Sequence, residues 1–230
     1  MFQKNKDNDT VKKIILNMLM ATVSLFINGF GVYLTIQANI GASPWDVLNL
    51  GLSNSFGILY GTASIIVSFT ILGIDILMRE PIGIAMIIDS IVVGKAVDLF
   101  NRIHVVEKCS SIKVAIPVMI LGLFIMGYTQ YAYMSASLGC GPRDTLLIGL
   151  TRRTKRVSIG LVSICLLATA TLVGWLLGGP VGIGTIICAF GMGPIMQFAF
   201  FTVKFNATEI RHQTIIESCK ILKSAKNTMS

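Results

Sequence analysis

"GASPWD" at residues 41–46 returns as "GCGPRD" at residues 139–144. Pro44 and Pro142 suit the first position of a helix, where φ is already set and no backbone donor is needed. Ser43 then falls at the N-cap, and Asp46, three residues on, is placed to reach back to the exposed amides. Gly141, Pro142 and Asp144 repeat the arrangement with a weaker cap. Each phrase reads as a helix beginning, and the chain spells it twice.

The correspondence extends outward from the two phrases. A shift of 98 brings Gly29 onto Gly127, Tyr33 onto Tyr131, Ala38 onto Ala136, Asp46 onto Asp144 and Gly51 onto Gly149. One extra residue then makes the shift 99, which brings Gly61 onto Gly160, Ser64 onto Ser163, Pro81 onto Pro180, Gly83 onto Gly182 and Gly94 onto Gly193. Matched leucines would mean little in an apolar chain, but Gly, Pro and Asp in order mark backbone geometry. Pro180 is read as marking the start of the last long apolar segment.

Those segments set the class. Of the 230 residues, 53% are hydrophobic and 13% charged, with a mean hydropathy of +0.76; soluble domains carry about a quarter charged residues. Apolar runs at 14–36, 58–78, 82–100, 114–134, 157–177 and 181–203 each approach the ~20 residues that cross a hydrocarbon core. The first is expected to stay in the protein, being too long for a signal peptide and followed by no small-x-small cleavage site. The expected fold is an all-α polytopic membrane protein with six transmembrane helices. Its parts are a cytoplasmic tail (1–13), a three-helix repeat (14–103), a second three-helix repeat (112–203) and a basic cytoplasmic tail (204–230).

Three helices per repeat is an odd number, so the two halves enter the membrane from opposite sides, as inverted repeats. With the N-terminus inside, every Lys and Arg except Lys95, Arg102, Lys108 and Lys113 falls on the cytoplasmic side or in the tails, which is the bias that orients membrane proteins. Both termini are therefore expected inside, in a bacterial inner membrane. The net charge of +8 is a topology signal, with attraction to anionic lipid secondary, and nucleic acid is not an expected partner.

Residues 45–54 and 143–151, which follow the two phrases, are too short to cross. Two readings fit them. They are interfacial helices padding a loop, with Trp45 at headgroup level; or they are re-entrant half-helices lining a central cavity from both sides, where irregular backbone at membrane depth is tolerated. Matched broken segments in two halves favour the second, since they point to a transport site.

Ionisable residues inside spans are expensive and default to function. Asp75 can reach Arg79 at i+4 and reads as a structural ion pair. Lys95, Asp98 and Arg102 form a triad towards the outer end of the third span, where long side chains snorkel. Asp89 stands alone near the midplane, roughly 12 Å from Pro81 by helical rise. Its repeat partner is Cys188, while those of Lys95 and Asp98 are Pro194 and Gln197, so the charges belong to the first half alone. The tail at 208–226 reads as a basic amphipathic helix on the inner leaflet.

The five cysteines are scattered, and His104 and His212 fall on opposite sides, so no metal site, disulfide framework or cofactor is expected. His104, Glu107 and Cys109 share a short polar loop and read as solvated. No phosphate loop or catalytic set is recognisable, which ranks an intramembrane enzyme last.

"SPWDVLNLGLS", "GPRDTLLIGL", "GWLLGGPVGIGT" and "VDLF" resemble the bacterial YczE/YyaS/YitT-like integral membrane proteins over roughly residues 14–203. The resemblance implies the fold and leaves the activity open. Pro44, Asp46, Asp98, Pro142, Arg143, Asp144, Gly182 and Thr185 match its pattern; "EPIGIAM" and Lys95 depart from it. The first reading of function is a small-molecule permease whose site lies between the repeats. Asp46, Asp89, Asp98, Arg143 and Asp144 form that site, Arg143 meets an anionic group, and Ser43, Pro44, Pro142 and Pro180 mark helix starts. The opposing reading is a non-transporting membrane protein that docks or regulates a cytoplasmic enzyme through residues 152–156 and the tail. The expected partners are the lipid bilayer and a small molecule, with a homodimer compatible with either reading.

Overall fold

A computed structural model describes residues 2–154 and 157–205. The proposed tail helix at 208–226, with His212 and Cys219, lies outside the described residues, as do Lys155 and Arg156. The described residues form eight α-helices: α1 (Phe2–Gln37), α2 (Pro44–Phe56), α3 (Tyr60–Leu77), α4 (Ile84–Arg102), α5 (Ile112–Ser135), α6 (Pro142–Arg153), α7 (Ile159–Leu176) and α8 (Ile183–Thr202). Five of them are long and apolar enough to cross a membrane: α1 from Ile14, α3, α5, α7 and α8. Helix α4, expected as a sixth, has 19 residues but carries Asp89, Lys95, Asp98 and Arg102, and by composition it does not join them. Outward-facing Leu, Ile and Phe side chains such as Leu172, Leu176, Phe190 and Phe201 suit a bilayer surround.

The two phrases begin helices at the expected residue. Pro44 opens α2 behind an extended Ser43 (φ −63°, ψ 154°), and Pro142 opens α6 behind an extended Gly141 (φ −67°, ψ 160°). Pro180 does not open one. Helix α8 starts at Ile183 with Gly182 as its cap, and Pro180 lies before it, its carbonyl accepting from Ala42 N at 3.3 Å. A three-residue loop without regular structure lets Pro180 tie the approach to α8 onto the approach to α2.

Helices α1 and α5 cross at the centre through Gly31 and Gly122, where a Cβ on Gly31 would sit 2.8 Å from the Gly122 carbonyl oxygen. Around that crossing the packing is paired. Helix α1 packs on α4 and α5 on α8; α2 packs on α7 and α6 on α3. The loops match as well: Gly184 N donates to Ile40 O at 2.7 Å, and Ala85 N donates to Leu138 O at 3.2 Å. These pairs are related by the shifts of 98 and 99. Gly41 (φ 112°) and Gly139 (φ 121°) share a left-handed turn that a side chain adopts only with strain.

The far ends of the short helices are clamped in corresponding places. Asn54 Nδ2 donates to Gly178 O at 3.0 Å and Ser55 Oγ to Leu177 O at 2.8 Å. Opposite them, Arg152 and Arg153 reach Glu80 at 3.1 and 2.8 Å, and Arg153 also donates to the Met78 carbonyl.

One packing relation is unpaired. Helix α3 lies along α4, but α7 does not lie along α8 to a comparable extent among the described residues. The cause is Asp98, whose Oδ1 accepts from Gly61 N at 2.7 Å while the bare Gly61 backbone lies against Gly94. Asp98 thus supplies an acceptor to an otherwise orphaned amide in the first turn of α3. Its counterpart Gln197 makes no such bond, and nothing lies within 4 Å of where a Gly160 Cβ would be.

Two expected ion pairs do not form. Asp75 is fully buried and neither of its carboxylate oxygens has a partner among the described residues; Arg79 turns away at φ 57°, where the helix has ended. The Lys95–Asp98–Arg102 triad is also absent, because Asp98 turns inward to α3 while Lys95 and Arg102 are exposed.

Candidate functional site

A cavity of about 340 Å³ lies where the two short helices begin, at the lower end of the range for ligand pockets. From α2 it receives Trp45 and Asp46, with Ser43 just before them; from α6, Arg143 and Asp144, with Gly141 just before them. Asp89 on α4, Tyr60 and Ser64 on α3, and Gln130 and Tyr133 on α5 add to its polar lining. Val32, Leu166, Leu167, Met192 and Met196 belong to the apolar part.

Asp46 does not reach back to the amides of its own helix. It accepts instead from Ser43 Oγ at 2.5 Å and from Tyr60 Oη at 2.7 Å, and Tyr60 Oη in turn accepts from Asn49 Nδ2 at 3.3 Å. This network is buried, with Asp46 2% and Asn49 0% exposed, so its hydrogen bonds are held in a low-dielectric setting where a full set of partners matters most. Local sequence explains it: the Ser at the cap is three residues from the Asp, and Tyr60 opens the next helix facing back.

Asp144 occupies the corresponding place with fewer partners. Its Oδ2 meets Gln130 Nε2 at 3.4 Å, and its side chain is exposed towards the cavity. Ser43 has Gly141 as its counterpart and Tyr60 has Ile159, so neither hydroxyl is present on this side. Gly141 makes room for something else: a Cβ there would sit 2.9 Å from Asp89 Oδ2 and 3.6 Å from Asp144 Oδ2. Both carboxylates therefore converge on the bare backbone at the start of α6. Arg143 stacks over Trp45, with its guanidinium carbon 5.2 Å from the ring centroid, within range of a cation–π contact.

Of the predicted site residues, the structure gathers Ser43, Asp46, Asp89, Arg143 and Asp144 around one space and leaves Asp98 outside it, holding the start of α3. Pro44 and Pro142 set the two helix starts. Tyr60, Gln130 and Tyr133 were not foreseen. Cys140, in the loop before α6, has its thiol pushed up to about 11 by burial and then by Asp144.

The family profile described as "Family of unknown function (DUF6198)" matches residues 15–200, a stretch that includes every residue of this site. The chain belongs to that family. Among family relatives, an uncharacterized membrane protein, YczE of Bacillus subtilis (strain 168), is 33% identical over 190 residues, covering 82% of this chain and 87% of its own length. The uncharacterized protein YyaS of the same organism is 30% identical over 180 residues, covering 74% and 86%. An uncharacterized protein of Haemophilus influenzae (strain ATCC 51907 / DSM 11121 / KW20 / Rd) is 27% identical over 175 residues, covering 76% and 79%. No solved structure matches the chain.

The YczE/YyaS-like family is thus the one the two phrases pointed to, and this chain is a membrane protein of that family. Two further positions of the family pattern, Gly182 and Thr185, lie together at the start of α8. Thr185 Oγ1 accepts from Gly182 N at 3.2 Å, and Gly41 approaches so closely that a Cβ on it would lie 2.7 Å from Gly182 N. They lock the α2 approach against α8, one wall away from the cavity.

Proposed function

We propose that the chain is a small-molecule permease built from two inverted three-helix repeats, with its site in the cavity between the starts of α2 and α6. In this reading α4 completes the first repeat as the sixth crossing helix. Its charged residues face the cavity or α3 rather than lipid, apart from Lys95 and Arg102 towards the end. Both termini lie in the cytoplasm and the membrane is the bacterial inner one.

The observation that carries the reading is the arrangement of the cavity itself. Two matched helix starts, each too short to cross at about 18–20 Å, meet from opposite halves around a polar space at the centre of a membrane protein. Broken helices whose N-termini face a midplane site are the construction that secondary transporters use. The paired loop hydrogen bonds, turns and end clamps support the inverted symmetry. The burial of Asp46, Val47 and Asn49 supports half-helices inside the bundle over helices padding its surface.

Docking of a cytoplasmic enzyme has less support. Arg152 and Arg153 are engaged by Glu80, and the tail that would serve as the dock lies outside the described residues.

Single-cysteine variants at position 43 and at Cys140 test the topology with an impermeant thiol reagent. Position 43 is expected to label only from outside and Cys140 only from inside. Labelling of both from one face would remove the inverted repeat and, with it, the transport argument.

A further inference from the structure

The lining of the cavity is unbalanced in charge. It holds three carboxylates, Asp46, Asp89 and Asp144, against one cation, Arg143. These groups are not equally free. Asp46 has two hydroxyl partners, and Arg143 lies over Trp45. Asp89 has no hydrogen bond or ion pair among the described residues, and Asp144 has only the long contact to Gln130.

A second observation points to the same spot. Tyr133 is 2% exposed and its hydroxyl has no hydrogen-bond partner among the described residues, although it lines the same cavity as Asp89 and Asp144. A buried hydroxyl is normally paired. Here two carboxylates line one space with a hydroxyl that donates to neither, and an ammonium group brings three donors and no acceptor. An anion would meet the reverse: one guanidinium, already stacked on Trp45, against three carboxylates in the same lining.

We propose that the cavity takes a small organic cation, its ammonium group held between Asp89 and Asp144 with Tyr133 as a further acceptor, and its apolar part against Leu167, Met192 and Met196. This names the substrate class of the permease reading, rests on that reading for its purpose, and replaces the anionic group expected at Arg143.

The test is equilibrium binding to the full-length protein in detergent, so it does not depend on transport. Thermal unfolding is followed with butylammonium chloride, sodium butyrate, butan-1-ol and sodium chloride at equal concentrations. Butylammonium alone is expected to raise the midpoint. Asp89→Asn and Asp144→Asn, each checked for a monodisperse elution profile, are expected to weaken its binding by about thirtyfold or more, as for loss of one partner of an enclosed charge pair. Stabilisation by butyrate, an equal effect of sodium chloride, or a butylammonium response untouched in both variants would overturn the assignment. Should either variant fail to fold, the selectivity of the unmodified protein among the four probes decides alone. Butylammonium that binds but is not carried into proteoliposomes would sink the permease reading and leave this one standing.

Discussion

The Arg143 guanidinium lies 5.2 Å from the centre of the Trp45 ring, and the two residues hold the same place in the two phrases, each directly after the proline. The contact brings the starts of α2 and α6 together at the wall of the cavity. Arg143 makes no ion pair with Asp89 or Asp144 among the described residues, which leaves those carboxylates open to a further partner.

The stacked pair should be measurable as coupling. In a double-mutant cycle of Trp45→Leu and Arg143→Gln, unfolding in mixed micelles is expected to give an interaction of about 1 kcal/mol, within the range for cation–π contacts. Additive effects of the two changes would show that the contact carries no energy.

Two glycines on α7 and α3 make a matched comparison. A Cβ on Gly174 would come within 2.5 Å of the Leu48 amide nitrogen, whereas nothing lies within 4 Å of one on Gly73. Gly174→Ala is expected to destabilise by roughly 1–3 kcal/mol through overpacking against backbone. Gly73→Ala is expected to stabilise by up to about 1 kcal/mol through helix propensity. Equal effects at both sites would contradict the close seat of α2 on α7.

Asp75 is buried with both oxygens unpartnered among the described residues, so it costs desolvation without compensation. Asp75→Asn is expected to leave stability unchanged or raise it by about 1–2 kcal/mol. A loss of similar size would reveal a partner that the described residues do not supply.

Thiol chemistry at Cys140 should depend steeply on pH. With its thiol pushed up to about 11, about one molecule in ten thousand carries the reactive thiolate at pH 7. Maleimide labelling is expected to accelerate about tenfold per pH unit from 7 to 9. Asp144→Asn removes one cause of the shift and should speed labelling at fixed pH. A profile that levels off between pH 8 and 9 would mean that Cys140 titrates as an open thiol.

Much of this architecture was legible in the chain. Prolines and glycines fix backbone geometry locally, so the starts of α2 and α6 and the register between the halves could be read from Pro44, Pro142 and their flanking glycines. Three misreadings share one cause: they assigned a partner within the residue's own helix that the structure does not supply. Asp75 was given Arg79, Asp98 was given Arg102, and Asp46 was given its own amides. In the structure Asp98 serves α3, and Asp46 turns to Tyr60, fourteen residues away. Pro180 was read as a helix start at the head of the last apolar segment, but the residue before it is Gly179 and the helix begins only at Ile183. Tyr60 and Tyr133 carried no signal, because an aromatic residue in an apolar run reads as filler until its hydroxyl is seen among carboxylates.

The end clamps differ in kind. Asn54 and Ser55 fasten the far end of α2 through neutral hydrogen bonds, while Arg152 and Arg153 fasten that of α6 through Glu80, whose side chain is 7% exposed against 64% and 46% for the arginines. Attraction between partly solvated charges fades with ionic strength, on the ~8–10 Å screening length of ordinary buffers; a hydrogen bond between an amide and a carbonyl does not. Electrolyte thus loosens the far end of α6 and spares that of α2, a bias between the two short helices that the fold builds in through the chemistry of their clamps. Hydrogen exchange in residues 142–153, followed from low to high salt beside residues 44–56, would register that bias as faster opening in the first segment alone.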